Sequence, residues 1–251
     1  MKELKIRLLQ YDIAWENPEA NKNKIEVMLA SHNGHCDVIL LPEMFLTGFT
    51  MNSRRYAVDM NSSEVQWFKD LSIKYNAAAG GTFIIKENEK FYNRFIWVTP
   101  DGNLKYYDKQ HLFSYGGEDK FFTKGKDKIL LRYKDFNILP LVCYDLRFPD
   151  ISDGKGEFDL IIYSSNWPGK RIYAYNQLLI ARAIENQSYV AAINRIGKDG
   201  NKTEHPGLSQ VIDPMGNVIA SAGDREIILD SVLSKDYVES VRTKYPFIKD
   251  K

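Results

Sequence analysis

The chain has 251 residues, 34 of them basic and 33 acidic, for a formal charge of +1. That balance lacks the strong positive bias of a nucleic-acid binder, and no apolar run approaches the ~18 residues of a membrane span, so neither nucleic acid nor a membrane is expected as a partner. With 44% hydrophobic and 27% charged residues, the length suits one generous domain over residues 1–251 with a large core.

The N-terminal Met-Lys-Glu-Leu-Lys-Ile-Arg runs directly into a strand pattern over Lys5–Gln10, with no secretory leader visible. Pro18 opens a helical stretch to about Ala30, since proline fits a first helical turn. Val38-Ile-Leu-Leu-Pro42 is a continuous apolar run, as expected of a strand covered on both faces. Ser62 or Ser63 caps a helix that carries Val65, Phe68, Leu71 and Tyr75 on one face. Thr82–Ile85 and Asn93–Thr99 form an expected hairpin across Lys86–Lys90, and Pro100-Asp-Gly102 marks a turn. Leu130–Tyr133 pairs with Ile138–Val142. The second half alternates again, with a strand at Asp159–Ser164, a helix from Ile172 to about Gln187 and a strand at Tyr189–Asn194. Ser209–Asp213 and Asn217–Ser221 flank a Pro-Met-Gly turn; Glu226–Leu233 is the last strand, and a short helix follows near Ser234–Thr243. Eleven strands and four longer helices in alternation predict an α/β layered sandwich.

Two cysteines of unlike context make no disulfide framework, and a reduced, cytoplasmic compartment is expected. Cys36 is expected to pack at the mouth of the Val38 strand. Cys143 stands differently, at the end of Ile-Leu-Pro-Leu-Val and before the turn-prone Tyr-Asp-Leu-Arg-Phe-Pro. A stiff strand that delivers a sulfur to its tip presents a nucleophile, whereas a buried free cysteine is the ordinary packing alternative. A thiol nucleophile needs a base and a means of holding an oxyanion. His32, His35 and His205 sit in loops, and His111 has no Asp or Asn partner at a recognisable spacing. Zinc-ligand spacings are lacking as well, so no metal is expected. Glu43 follows Val-Ile-Leu-Leu-Pro and so also stands at a strand end, where a pocket would fit it for proton transfer. Lys109, in Tyr-Tyr-Asp-Lys-Gln-His-Leu-Phe (106–113), adds a cation. A base, a cation and a nucleophile, each closing or following a strand, carry more weight together than singly.

Leu-Leu-Pro-Glu-Met-Phe-Leu-Thr-Gly-Phe (40–49), Tyr-Asp-Lys-Gln-His-Leu-Phe (107–113) and Leu-Val-Cys-Tyr-Asp-Leu-Arg-Phe-Pro (141–149) resemble, in order and spacing, the three signature blocks of the nitrilase superfamily of carbon–nitrogen hydrolases. Tyr163-Ser-Ser-Asn-Trp-Pro168 and Ala181-Arg-Ala-Ile-Glu-Asn-Gln-Ser-Tyr-Val190 extend the resemblance, which runs from about Leu4 to Leu233 and is strongest to the bacterial omega-amidases. It implies a four-layer αββα sandwich that dimerises through helices following the nucleophile, a role that the apolar face around Tyr175–Ala183 would suit; Arg182 and Glu185 would form a surface pair or join that contact. It implies Cys143 as nucleophile, Glu43 as general base and then acid, and Lys109 with the Tyr144 N–H as oxyanion donors. Glu118, in Tyr-Gly-Gly-Glu-Asp, would orient Lys109 and the substrate amide. The implied substrates are short α-keto acid monoamides such as 2-oxoglutaramate, cleaved to ammonia and the dicarboxylate through a thioester, with no metal or organic cofactor. Arg147 and Arg195 are the candidates for the far carboxylate, while Phe49, Tyr115 and Trp167 would wall a small pocket. The alternatives are an N-carbamoyl amino acid amidohydrolase or another nitrilase-branch enzyme, and, outside enzymes, an interaction protein on the same fold. The three chemical residues being present argues against the last.

Overall fold

The computed structural model describes residues 2–251. The first half of the chain lays down β1 (Glu3–Gln10), β2 (Val38–Leu40), β3 (Ala78–Glu87), β4 (Lys90–Val98) and β5 (Leu104–Asp108). The second half lays down β6 (Leu131–Tyr133), β7 (Phe136–Val142), β8 (Leu160–Ser165) and β9 (Tyr189–Asn194), a small β10–β11 ribbon (Ile196–Lys198, Glu204–Pro206), β12 (Gln210–Ile212) and β13 (Val218–Ser221). The last strand, β14 (Ile227–Ser234), returns to the first sheet, whose order is β14-β1-β2-β3-β4-β5. The second sheet has the order β13-β12-β9-β8-β7-β6. Parallel pairing is confined to the centres, β1-β2-β3 and β7-β8-β9.

Strand alternation builds the layers. Leu4, Ile6 and Leu8 of β1 and Val38 and Leu40 of β2 share a core with Ile138, Leu141 and Ile161 of the second sheet. The intervening Leu9 and Ile39 pack outward, against Ile25 and Leu29 of α1 (Pro18–Ala30) and Val65, Phe68 and Leu71 of α2 (Ser63–Tyr75). The far face of the second sheet is covered by α3 (Ile172–Asn186), and α4 (Lys235–Lys244) follows β14. Two sheets face to face with helices outside are the expected α/β sandwich.

The helix starts follow from capping. The Asn17 side chain accepts from the Ala20 N–H with Pro18 next in line, Ser62 accepts from Val65, and Ser234 accepts from Tyr237. Strand bounds differ from expectation where composition misleads. β3 begins at Ala78 rather than Thr82, because Ala-Ala-Gly-Gly carries little strand propensity. Those small residues make room: a Cβ on Gly80 would lie 2.7 Å from the Phe95 ring, and one on Gly81 2.8 Å from Phe45. β5 and the β10–β11 ribbon were not anticipated, β5 because its Tyr-Tyr-Asp end merges with the lysine segment.

One expectation is corrected. The Tyr175–Ala183 face does not await a partner, because Tyr175, Leu179 and Ala183 are buried in this chain's own core. Arg182 is buried too, bonding Glu185 and the Leu146 carbonyl. The outward side of α3 instead carries exposed Tyr173 and Ile184.

Candidate active site

Four strand ends deliver the site. Glu43 follows β2, Lys109 follows β5, Cys143 follows β7 and Asn166 follows β8. Glu43, Lys109 and Cys143 line a single cavity of about 260 Å³ with Tyr144. Glu118 lies just behind them on a single 3₁₀ turn, Glu118–Lys120.

Lys109 is enclosed by carboxylates. Its Nζ lies 2.8 Å from Glu43 Oε1 and 2.9 and 3.1 Å from the two oxygens of Glu118, and all three side chains are fully buried. Burial pulls the ammonium down, but Glu118, Glu43 and Cys143 outweigh it and raise its pKa, so Lys109 is charged. Burial lifts Glu118 above the ordinary carboxyl range, Lys109 opposes this, and Glu43 adds to it. Glu43 is further fixed by the Asn166 N–H on Oε2 (3.1 Å), by Asn93 Nδ2 on Oε1 (2.8 Å), and by the Asn166 side chain on its backbone carbonyl.

Cys143 sits on a strained elbow. Its φ is +44°, left-handed for a non-glycine residue, a conformation that costs on the order of 1–3 kcal/mol and persists where the surroundings enforce it. Asp145 does the enforcing. Its buried carboxylate accepts from the Val142 N–H (3.0 Å), the Tyr107 hydroxyl (2.8 Å) and the His111 N–H (3.0 Å), tying the elbow to the lysine segment. The His111 ring also lies against Asp145 and stacks on Phe148, which accounts for a histidine that is no catalytic base. Asp145→Asn should therefore lower unfolding free energy by about 2 kcal/mol, since an amide cannot accept from every donor there; urea titration measures it, and an unchanged midpoint would refute this role.

Burial pushes the Cys143 thiol well above its ordinary range, Glu43 adds to the rise, and Lys109 opposes it. The charge of Lys109 is already matched by two carboxylates, and Cys143 rests as a thiol beside the Glu43 carboxyl.

The outer cavity is aromatic and cationic. Phe49 lies 5.2 Å from Lys109 Nζ, buried Trp167 forms a wall, and Tyr115 is exposed at the rim. Arg147 lies over the Trp167 ring at 5.1 Å, and among the described residues it forms no ion pair; Asp145 is taken up by His111 instead. Arg171 also lines the cavity, over Phe113 at 5.0 Å. Arg195 does not line it. Its guanidinium bonds Asp12 at 2.6 Å and the carbonyls of Ile13 and Lys198, so it braces the β10 ribbon, and its candidacy for a substrate carboxylate is withdrawn. Cys36 is a buried thiol raised to about 11, chiefly by burial. Asn93, Asp145 and Arg171 escaped the sequence reading. Asn93 had a signal: an asparagine interrupts the aromatic strand Phe-Tyr-Asn-Arg-Phe-Ile-Trp.

Comparison with known proteins agrees with this geometry. A model of the carbon–nitrogen hydrolase family matches residues 5–243. The chain is 38% identical over 251 residues to omega-amidase YafV of Yersinia enterocolitica, covering 100% of this chain and 97% of that one. It is 32% identical to 2-oxoglutaramate amidase of Bacillus subtilis, over 98% of this chain and 96% of the relative. A crystal structure of a CN-hydrolase superfamily protein from Xanthomonas campestris, with an arsenic adduct in its active site, superposes with a TM-score of 0.97 at 35% identity, covering 100% and 98% of the two chains.

Proposed function

The chain belongs to the carbon–nitrogen hydrolase family and is a hydrolase of non-peptide carbon–nitrogen bonds, and from that premise we propose that it is an omega-amidase acting on short α-keto acid monoamides such as 2-oxoglutaramate and 2-oxosuccinamate. One observation carries the chemistry: a lysine clamped between two buried carboxylates opens on the same small cavity as a strained cysteine.

The steps follow from the charges. Glu43 takes the Cys143 proton as Sγ attacks the amide carbon. Once protonated, Glu43 releases its hold on the Lys109 ammonium, which turns to the oxyanion beside the Tyr144 N–H. Glu43 returns the proton to the departing nitrogen, the C–N bond breaks, ammonia leaves, and a thioester remains. Water, deprotonated by Glu43, then adds to the thioester carbonyl. The C–S bond breaks, and Cys143 recovers its proton.

The substrate assignment rests on size and charge. About 260 Å³ is at the small end for a ligand site. Lys109 is neutralised by its carboxylates, whereas Arg147 is held by an aromatic ring alone, which leaves it to the far carboxylate of a monoamide. Both cysteines are free, which suits the reducing cytoplasm, and we carry the homodimer forward on the outward side of α3. Ammonia release from 2-oxoglutaramate tests the reading. Arg147→Met should raise KM for it about 10- to 100-fold and leave a neutral short amide unaffected. A wild type that ignores ω-amides and cleaves N-carbamoyl compounds would refute the substrate assignment.

A further inference from the structure

The carboxamide of Asn93 touches both carboxylates around Lys109. The two protons on its Nδ2 are directed at Glu43 Oε1 (2.8 Å) and Glu118 Oε1 (3.0 Å). Its backbone carbonyl accepts the Lys109 N–H at 3.0 Å, so the same residue also fixes the backbone from which the ammonium projects. Asn93 is 1% exposed, and its Oδ1 has no partner. A flipped amide would set Oδ1 against two carboxylate oxygens, so the bare oxygen is the cost of presenting the donors. A position with only a packing role would hold a side chain such as leucine and leave nothing unpaired.

The need for those donors comes from Lys109. Its three N–H groups are directed at Glu43 and at both oxygens of Glu118, leaving none for an oxyanion until Glu43 lets go. When it does, Asn93 still grips both carboxylates. Glu43, Glu118 and Lys109, with Cys143 beyond Glu43, are the titratable groups around this amide; neighbouring Arg94 points to the opposite face of β4, paired with Asp108 and Glu87.

We propose that Asn93 is a positioning residue that holds the Glu43 carboxyl aimed at Cys143, ready to take its proton, and keeps it in place when Lys109 then moves to the oxyanion. The lysine's movement rests on the amide-hydrolase reading; the hold on Glu43 does not.

The test is the pH dependence of Cys143 alkylation by iodoacetamide on the intact protein, followed by the mass of the Cys143 peptide. In the wild type the rate climbs with pH along one acid limb, which reports loss of a proton from the coupled Cys143–Glu43 pair as a whole. Asn93→Leu removes a donor that favours the carboxylate, so the limb should move about one unit to higher pH, a roughly tenfold slower reaction at a fixed pH on the limb. Asn93→Ala, which removes the same donor without adding bulk or charge, should move it the same way, and it decides the matter if Asn93→Leu does not fold. A structural role alone would lower the unfolding midpoint and leave the limb in place; that result in a folded variant overturns the inference. Wild type that releases no ammonia from any linear amide, with the limb still shifting, would instead sink the amidase reading and retain Asn93's hold on Glu43.

Discussion

Cys143→Ala is expected to lower ammonia release from 2-oxoglutaramate by at least ~10⁴-fold with folding intact. The reason is local. Alanine keeps the Cβ and so can hold the left-handed elbow, while the Lys109–Glu43 pair and Asp145's bond to the Val142 N–H form without help from the sulfur. What disappears is the sulfur that forms the proposed acyl intermediate. Substrate binding should survive, because the proposed carboxylate contact is at Arg147, and calorimetry with 2-oxoglutaramate would detect it. Undiminished turnover by Cys143→Ala would overturn the mechanism.

Lys109→Met should be the most damaging single change to the fold of the site. The substitution preserves length and apolar stem but leaves Glu43 and Glu118 facing each other, fully buried, without their shared cation. Removing one partner of a buried ion pair costs about 3–5 kcal/mol, since the remaining charge is uncompensated. Loss of an oxyanion donor takes a further ~10²–10³ from the rate. The sign of the pH dependence is fixed by Glu118. Its folded pKa already lies above the ordinary carboxyl value through burial, and without Lys109 it rises further. A carboxyl raised in the folded state is destabilising where it must ionise, so the deficit against wild type should be full at neutral pH and shrink as pH falls through the raised range of Glu118 and it takes up a proton. Denaturant midpoints at several pH values would show it; a deficit that grows on acidification would contradict it.

The central strands were legible because a run such as Val-Ile-Leu-Leu-Pro has one stable use, a strand covered on both faces, and the residue after it must emerge at an edge. That logic located Glu43 and Cys143, and the lysine block supplied Lys109. It reached Glu118 only through family resemblance, since a glutamate in a Gly-Gly-Glu-Asp loop looks like any solvated acid until the loop folds it inward. Arg195 failed for a related reason. An arginine after a strand reads the same whether it meets a ligand or, as here, an aspartate from another part of the chain. Asn93 and Asp145 were missed because their importance lies in what they hold: the polar break that Asn93 makes in an aromatic strand marks the position but not its partners, and hydrogen bonds across 50 and 34 residues of sequence leave no local trace.

β14 pairs with β1 along all eight residues, Glu3 opposite Ser234 and Gln10 opposite Ile227. During synthesis the first strand made thus waits for one of the last, and until residues 227–234 emerge β1 is an open edge able to capture a foreign strand. Folding of the first sheet cannot finish domain-half by domain-half as the ribosome proceeds. Chaperone demand in the cell should therefore fall on the nascent chain, and slow translation should favour aggregation over early activity.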